Sequence, residues 1–418
     1  MNVIIFYEHL VREWNAVQQL KKALEEKGAR VKVYSLIFQR TEAILDSLAH
    51  HPDVIYMPWY NLELHEQILS PIVRKNPVVI INQHQEQVGS PASEVQLIPN
   101  TEATKNGCYH FAWGKHFENL MLNNGVDASM IRVTGNVRND AGKSKKPTIS
   151  KQELAEAYNL DAGKKWILFA ENRGWLSQRN SEKTMQELIA MGSTAEQLKA
   201  SLTYETTGLQ MLVDEMWKLD ENFAAQYELI YRPHPGTQFE KAIPDCVHVL
   251  TDRSIYDWIN VVDLFLTCES TSIFEAEMCG VPCATIDHVE KITENKMAGL
   301  PDYPRLNSLL DINDEWIAAL KEEQQNREPI YQRYIGLVDG KACERTVNET
   351  MEILKTPAKP QNLKKSTLYM NLHQLIFEVV TFIMVKAGLL YKLRFPKSAY
   401  VEARDIPYSS ENKWIHKK

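Results

Sequence analysis

Three polar runs in this sequence follow short apolar ones, and their residue types suit the capture of an anion and the movement of a proton. After YELIY (227–231) comes Arg232-Pro233-His234-Pro235-Gly236, in which two prolines hold the backbone around His234. A loop fixed in this way presents a guanidinium fork and an imidazole donor, groups that recognise a phosphate or a pyrimidine. After DLFLT (263–267) comes Cys268-Glu269-Ser270-Thr271-Ser272, with Glu275 shortly after. Hydroxyls and unpaired amides at a helix start form an anion site, so Ser270, Thr271 and Ser272 join Arg232, His234 and Pro235 as candidate phosphate ligands. Ser272 and Glu275 also have the S-x-x-E spacing of a capping box, which would commit both side chains to the helix itself. The third run, Asn82-Gln83-His84-Gln85-Glu86-Gln87, follows PVVII (77–81) and is unusually polar for a loop behind a buried strand.

The elements that must position these groups read as alternating strands and helices. VIIFY from Val3, VKVY from Val31, DVIYM from Asp53 and PVVII from Pro77 are continuous, strongly apolar runs. Helical spacing spans 10–26 and recurs at Leu62, Leu64, Ile68 and Ile72. That order gives parallel strands joined by crossover helices, each strand covered on both faces. Two more units carry the pattern to about Asp140, where GKSKKPTISKQ (142–152) interrupts it as a linker. The rhythm restarts at WILFA (166–170) and runs through YELIY, VHVL, DLFLT and CATID to a last helix over 341–354. The expected fold class is α/β: two doubly wound domains over 1–141 and 161–356, joined by a linker over 142–160, with ligands at the strand edges facing a cleft.

A chain of 418 residues suits two domains, and 44% hydrophobic with 24% charged residues excludes disorder and fibres. The six cysteines form no C-x-x-C pair, so neither a zinc ribbon nor a disulfide framework is expected. No basic leader precedes the first apolar run, which reads as a strand and places the protein in the cytoplasm. The net charge of −7 divides unevenly: residues 359–418 carry +7 and the rest −14. An acidic body argues against nucleic acid as a partner. In the tail, LIFEVVTFIMVKAGLLY (375–391) is apolar yet holds Glu378 and Lys386, and it is flanked by Lys364, Lys365, Lys392, Arg394 and Lys397. A spanning helix needs about 20 mostly apolar residues, and each central charge costs about 2.5 to 3.5 kcal/mol. Residues 357–418 therefore read as a basic amphipathic helical tail, peripheral on the anionic inner face of the cell membrane. The alternative is an amphipathic helix packed on the body or on a second copy.

Several of these motifs together resemble a known group. FEAEMCGVP (274–282) is similar to the E-A-x-x-x-G-x-P end of the ribose-binding motif of GT-B glycosyltransferases, which puts Glu275 on the ribose-binding glutamate. The RPHP loop and Glu269–Ser272 look like the His-Pro and Ser/Thr motifs of bacterial sialyl, Kdo and polyol-phosphate transferases that make capsules. VTGNVRND from Val133 resembles the V-T-G-N-P-R-F-D run of bacterial surface carbohydrate biosynthesis proteins, with Val137 and Asn139 in place of Pro and Phe. Many GT-B enzymes carry a second glutamate eight positions before the ribose ligand; here that position is Thr267, and Glu269 and Glu277 hold the spacing two residues out of register. The likeness extends over about residues 1 to 355.

The resemblance implies two Rossmann-like domains of the GT-B type and a glycosyltransferase that moves a sugar from a nucleotide-sugar donor to a glycan or glycolipid acceptor of the bacterial surface. A base must deprotonate the acceptor, and His84 or Glu86 fills that role, with Glu8 and His9 as substitutes. Trp59 and Tyr60 stack on sugar, while Arg173 and Gly174, after WILFA, offer a cation to the leaving phosphate. No D-x-D run follows a strand, so no metal or other cofactor is expected. Nucleotide-sugar 2-epimerases resemble the same architecture and also carry a Ser-rich helix start before a ribose-binding Glu. A third reading is a non-catalytic, membrane-bound glycan-binding scaffold.

Overall fold

The computed structural model describes residues 1–389 apart from 75, 95, 145–148, 172, 174–184, 187, 190–192, 234–236, 238, 240, 254, 288–295, 357–360, 366, 367 and 388. It divides into two compact units, the first made of 1–87, 97–140 and 336–418, the second of 88–96 and 141–335.

In the first unit β1 (Asn2–Tyr7), β2 (Arg30–Ser35), β3 (Val54–Met57), β4 (Val79–Asn82), β5 (Tyr109–Ala112) and β6 (Ile131–Val133) form one sheet in the order β2-β1-β3-β4-β5-β6. Every neighbouring pair is parallel. The two-residue period of a strand explains why these runs are apolar throughout. Val3, Ile5, Tyr7, Val54 and Tyr56 enter a core with Leu20 and Leu24 of α1 (Leu10–Glu26). Ile4, Phe6, Ile55 and Met57 enter another, with Ala43 of α2 (Arg40–Ala49) and Ile68 and Ile72 of α3 (Glu63–Val73).

The second unit repeats the plan with β7 (Lys165–Ala170), β8 (Tyr227–Arg232), β9 (Val247–Val249), β10 (Leu264–Thr267), β11 (Cys283–Ile286) and β12 (Arg305–Leu306). These strands are also all parallel, in the order β12-β11-β10-β7-β8-β9. Each sheet has one point where successive crossovers reverse direction, and ligands of open α/β sheets bind outside the strand ends there. In the first unit that point lies between β1 and β3, hence at Glu8 and Trp59; in the second it lies between β7 and β10, hence at Glu171, Arg173 and the run 268–272.

The division corrects two expected boundaries. The helix Ala342–Leu354, expected to close the second domain, belongs to the first unit, because its apolar face of Cys343, Val347 and Ile353 completes the core beneath β1 and β3. Its N-terminus is seated on the VTGNVRND run. The Asp140 carboxylate accepts the amides of Ala342 at 2.9 Å and Cys343 at 2.7 Å, and Arg345 Nε donates to the Thr134 carbonyl at 2.8 Å. Gly135 has φ +84°, and a Cβ there would press on Arg345 and Ala342. The expected linker over 142–160 contains the helix Lys151–Tyr158, opened by a capping box of Ser150 and Glu153 and anchored in the second unit by buried Leu154 and Ala155.

Candidate active site

In the first unit a charged cluster forms where β1 runs into α1. Glu13, buried in the first turn, reaches back to accept the amides of Glu8 at 2.9 Å and His9 at 3.2 Å, which satisfies donors that a helix start leaves open. Arg12 donates one guanidinium nitrogen to Glu13 at 3.1 Å and the other to Glu86 at 2.5 Å. The Trp59 indole N–H donates to Glu8.

These neighbours tune two carboxyls in opposite directions. Burial raises Glu8 above the usual carboxylate range, and Glu13 adds to that while His9, Arg12 and Trp59 oppose it. At Glu86, whose side chain is 52% exposed, a desolvation cost is outweighed by the charge and hydrogen bond of Arg12, and its pKa is lowered. One carboxyl is thereby biased toward holding a proton and the other toward having lost one.

The polar loop after β4 is otherwise spent on structure. Gln87 donates to the carbonyls of Phe111 at 2.9 Å and His84 at 3.2 Å, and accepts the Trp113 amide at 2.7 Å. Asn82 accepts the His84 amide at 3.1 Å. His84 itself is 0% exposed, with φ 31°, its ring 4.4 Å from Trp59 and 5.2 Å from Phe117, centroid to centroid. Burial holds its pKa down to about 3, against the opposing charge of Glu86. A neutral imidazole walled in by two aromatic rings is not placed to take a proton from a ligand, so of the two expected bases the structure leaves Glu86 available. Tyr60 is likewise buried in the core and does not offer its ring to a sugar.

In the second unit Arg173 ends up as a buried structural cation. Its side chain is 1% exposed and donates to Glu171 through Nε at 2.9 Å and Nη2 at 2.6 Å; Nη2 also meets Cys268 Sγ at 2.6 Å. Gly208, on the helix Ala195–Met216, makes room for it: a Cβ at that position would lie 2.2 Å from Arg173 Nη1. The cation expected for a leaving phosphate is thus neutralised within its own loop. Arg232 is also occupied, with Nη1 donating to the carbonyl of Asp252 at 2.7 Å and Nη2 to that of Arg253 at 3.1 Å. His234 and Pro235, with Gly174 and Gly236, lie outside the described residues.

The Ser/Thr run sits where the sheet reverses. Ser270 and Ser272 share a hydroxyl hydrogen bond of 2.9 Å, Thr271 is exposed, and the short helix Ser272–Met278 starts behind them. The cap residue is Thr271, in helical conformation and accepting no side-chain hydrogen bond, so the capping box suggested by Ser272 and Glu275 does not form. Glu275 is half-buried on the first turn. Glu277 is consumed by the fold: it accepts from the Tyr303 hydroxyl at 2.6 Å, Arg327 at 2.7 Å and the Tyr331 amide at 3.0 Å.

Beside this run opens a polar cavity of about 160 Å³, lined among others by Tyr204, Glu269, Asp287, Lys296 and Arg305. Asp287 accepts the Tyr204 hydroxyl at 3.3 Å and lies 3.9 Å from Lys296 Nζ, while Arg305 donates to its carbonyl at 2.9 Å. Two cations and two carboxylates around one space suit a ligand that carries both phosphate and hydroxyls. Of these the sequence pointed only to Glu269, through its likeness to transferase motifs; Asp287, at the end of CATID, and Tyr204, Lys296 and Arg305 have no local signature. Among the described residues no group of three His, Cys, Asp or Glu side chains is arranged to hold a metal ion.

No protein-family model matches this sequence, and no curated protein does. Solved structures match it in fold. A putative UDP-N-acetylglucosamine 2-epimerase from Listeria monocytogenes aligns at 13% identity over 87% of this chain and 99% of that one, with a TM-score of 0.50. The UDP-GlcNAc 2-epimerase from Neisseria meningitidis, bound to UDP-GlcNAc, aligns at 13% identity over 84% and 100%, also at 0.50. The wall teichoic acid polymerase TagF aligns at 12% identity over 84% of this chain and 88% of its own, again at 0.50. At these identities the likeness is one of fold: this chain carries the two Rossmann-like domains of the GT-B type.

Proposed function

We propose that this protein is an enzyme of nucleotide-activated sugars, and that its reaction turns on the carboxyls of Glu8 and Glu86. The observation that carries the reading is their opposite tuning around Arg12 at the strand-reversal point of the first sheet. Epimerisation at C2 takes the proton as the C1–O bond to the nucleotide breaks, the electron pair entering a C1–C2 double bond and the nucleotide leaving as its anion; a proton returned to the other face of C2 as the nucleotide re-adds to C1 completes it, so an acid is needed as well as a base. Sugar transfer needs only the base. The epimerase neighbours support epimerisation as the first choice, and the UDP-GlcNAc bound in the Neisseria meningitidis enzyme makes UDP-N-acetylglucosamine the substrate to try. The polar cavity of the second unit, with Lys296 and Arg305 beside Glu269 and Asp287, suits the phosphates and hydroxyls of such a ligand.

The second reading is transfer of the sugar to a bacterial surface polysaccharide or glycolipid, with Glu86 as base. It is supported by the TagF likeness and by the resemblance of Glu269–Ser272 to capsule transferases. Incubation with UDP-N-acetylglucosamine, with and without a glycan acceptor, separates the two. An epimer formed without acceptor supports the first, and sugar transfer that requires the acceptor supports the second. Tight nucleotide binding with neither product would leave a glycan-binding scaffold and end the enzymatic reading.

A further inference from the structure

We propose that the tail helix Leu368–Lys386 is an inside-out helix that docks the protein on the surface of an anionic lipid bilayer, whichever reaction the body carries out. Its approach is fixed to the first unit. Leu363 is buried in the core with Ile68 and Ile72, the Lys364 amide donates to Glu66 at 3.0 Å, and its ammonium donates to Glu63 at 2.9 Å.

The helix then packs against α2 with its polar side inward. Thr381 is 2% exposed. Glu378 acts on the half-buried guanidinium of Arg40, and Lys386 acts on Glu42, so the two charges that make this segment unfit to cross a membrane are set against opposite charges on α2. The apolar side faces out: Leu372, Leu375, Ile376, Val379, Val380 and Ile383 are 41% to 59% exposed. Their spacing is that of one continuous helical stripe. Among the described residues no helix is long and apolar enough to cross a membrane, so the stripe can be covered only from the side.

Charge selects the cover. Residues 359–418 carry +7 and the remainder −14. A second copy seated on the stripe by two-fold symmetry would set two basic tails against each other, whereas an anionic bilayer pairs its headgroups with exposed Lys365 as the stripe enters the acyl boundary.

The test is sedimentation of the full chain with vesicles of phosphatidylcholine alone or mixed with phosphatidylglycerol. Binding is expected only with the anionic vesicles, weakened but not abolished by about 1 M salt. The variant Leu372→Gln/Ile376→Gln/Ile383→Gln, altered only at exposed positions, is expected to lose about tenfold or more in vesicle affinity while keeping the melting temperature of the parent. Failure of the parent to bind anionic vesicles, equal binding to neutral ones, or undiminished binding by a folded triple variant would overturn the proposal. So would a dimer in sedimentation equilibrium that the triple variant dissolves without any vesicle binding by the parent. If the triple variant unfolds, the comparison of anionic with neutral vesicles decides alone.

Discussion

Arg12 donates to Glu86 at 2.5 Å across the loop that follows β4, tying the first turn of α1 to the one carboxylate of that loop that reaches solvent. The same guanidinium donates to Glu13, and its charge lowers both Glu86 and Glu8 against the rise that burial causes. Removing it should raise Glu86 and Glu8 together. In Arg12→Met the acidic limb of the pH–rate profile should therefore move to higher pH, because a base lost as pH falls through its pKa is lost earlier when that pKa is higher. An unmoved limb would show that Glu86 is not the base.

Glu86→Gln should lower turnover by about 10²- to 10⁴-fold, the range of a lost general base. Its melting temperature should stay close to that of the parent, since an exposed ion pair contributes only about 0 to 1 kcal/mol. His84→Phe keeps the aromatic packing against Trp59 and should retain most activity. Steady-state kinetics on both variants checks that Glu86, and not His84, is the base.

Acid should weaken the first unit through its histidines. Burial holds His84 at about 3, and His65 and His110 at about 4, all below the ordinary value near 6.5. A histidine depressed in the fold is protonated first in the unfolded chain. Its contribution is complete above about pH 6.5 and falls as pH drops toward the folded values. The melting temperature should decline from pH 6.5 to 4, and His84→Phe should make that decline shallower. Equal slopes in parent and variant would contradict the burial of a neutral ring.

Asp140 should matter to stability more than to chemistry. Asp140→Ala leaves the amides of Ala342 and Cys343 without their cap and should cost about 1 to 3 kcal/mol. Hydrogen exchange should speed up across 342–354, within the first unit. Gly135→Ala, strained by its positive φ and crowded by Arg345, should act in the same direction.

Gly208→Ala tests the seat of Arg173. The added methyl would overlap the guanidinium, and Arg173→Met would take from buried Glu171 the hydrogen bonds it accepts from that cation, a loss of about 3 to 5 kcal/mol. Both variants should melt lower. A Gly208→Ala protein as stable as the parent would mean that Arg173 has room to move.

What could be read from the sequence followed the range of the interactions. VIIFY, PVVII and WILFA are strands because every residue is apolar, a pattern visible in five letters, and the two doubly wound domains follow from their order. Glu8, Glu86 and Ser270 follow the carboxyl ends of β1, β4 and β10, as the order of the runs implies. That order could not say which polar residue turns inward. His84 looked free beside Gln83 and Gln85, but Trp59 and Phe117 close over it from 25 and 33 positions away. Arg232 looked like an anion ligand because its carbonyl partners lie 20 and 21 residues on. The VTGNVRND run held no hint that its last residue caps a helix 202 positions later. Lys296 and Arg305 reach one cavity only because the sheet stacks β11 and β12 side by side.

The central claim, that Glu8 and Glu86 move a proton on a nucleotide-bound sugar, is met most directly by isotope exchange. UDP-N-acetylglucosamine incubated with the protein in deuterium oxide should acquire deuterium at C2 of the sugar, read by proton NMR. Glu8→Gln and Glu86→Gln should each slow that exchange by about 10²- to 10⁴-fold. Sugar turnover by the parent with no exchange at C2, or exchange that persists undiminished in both variants, would contradict the account.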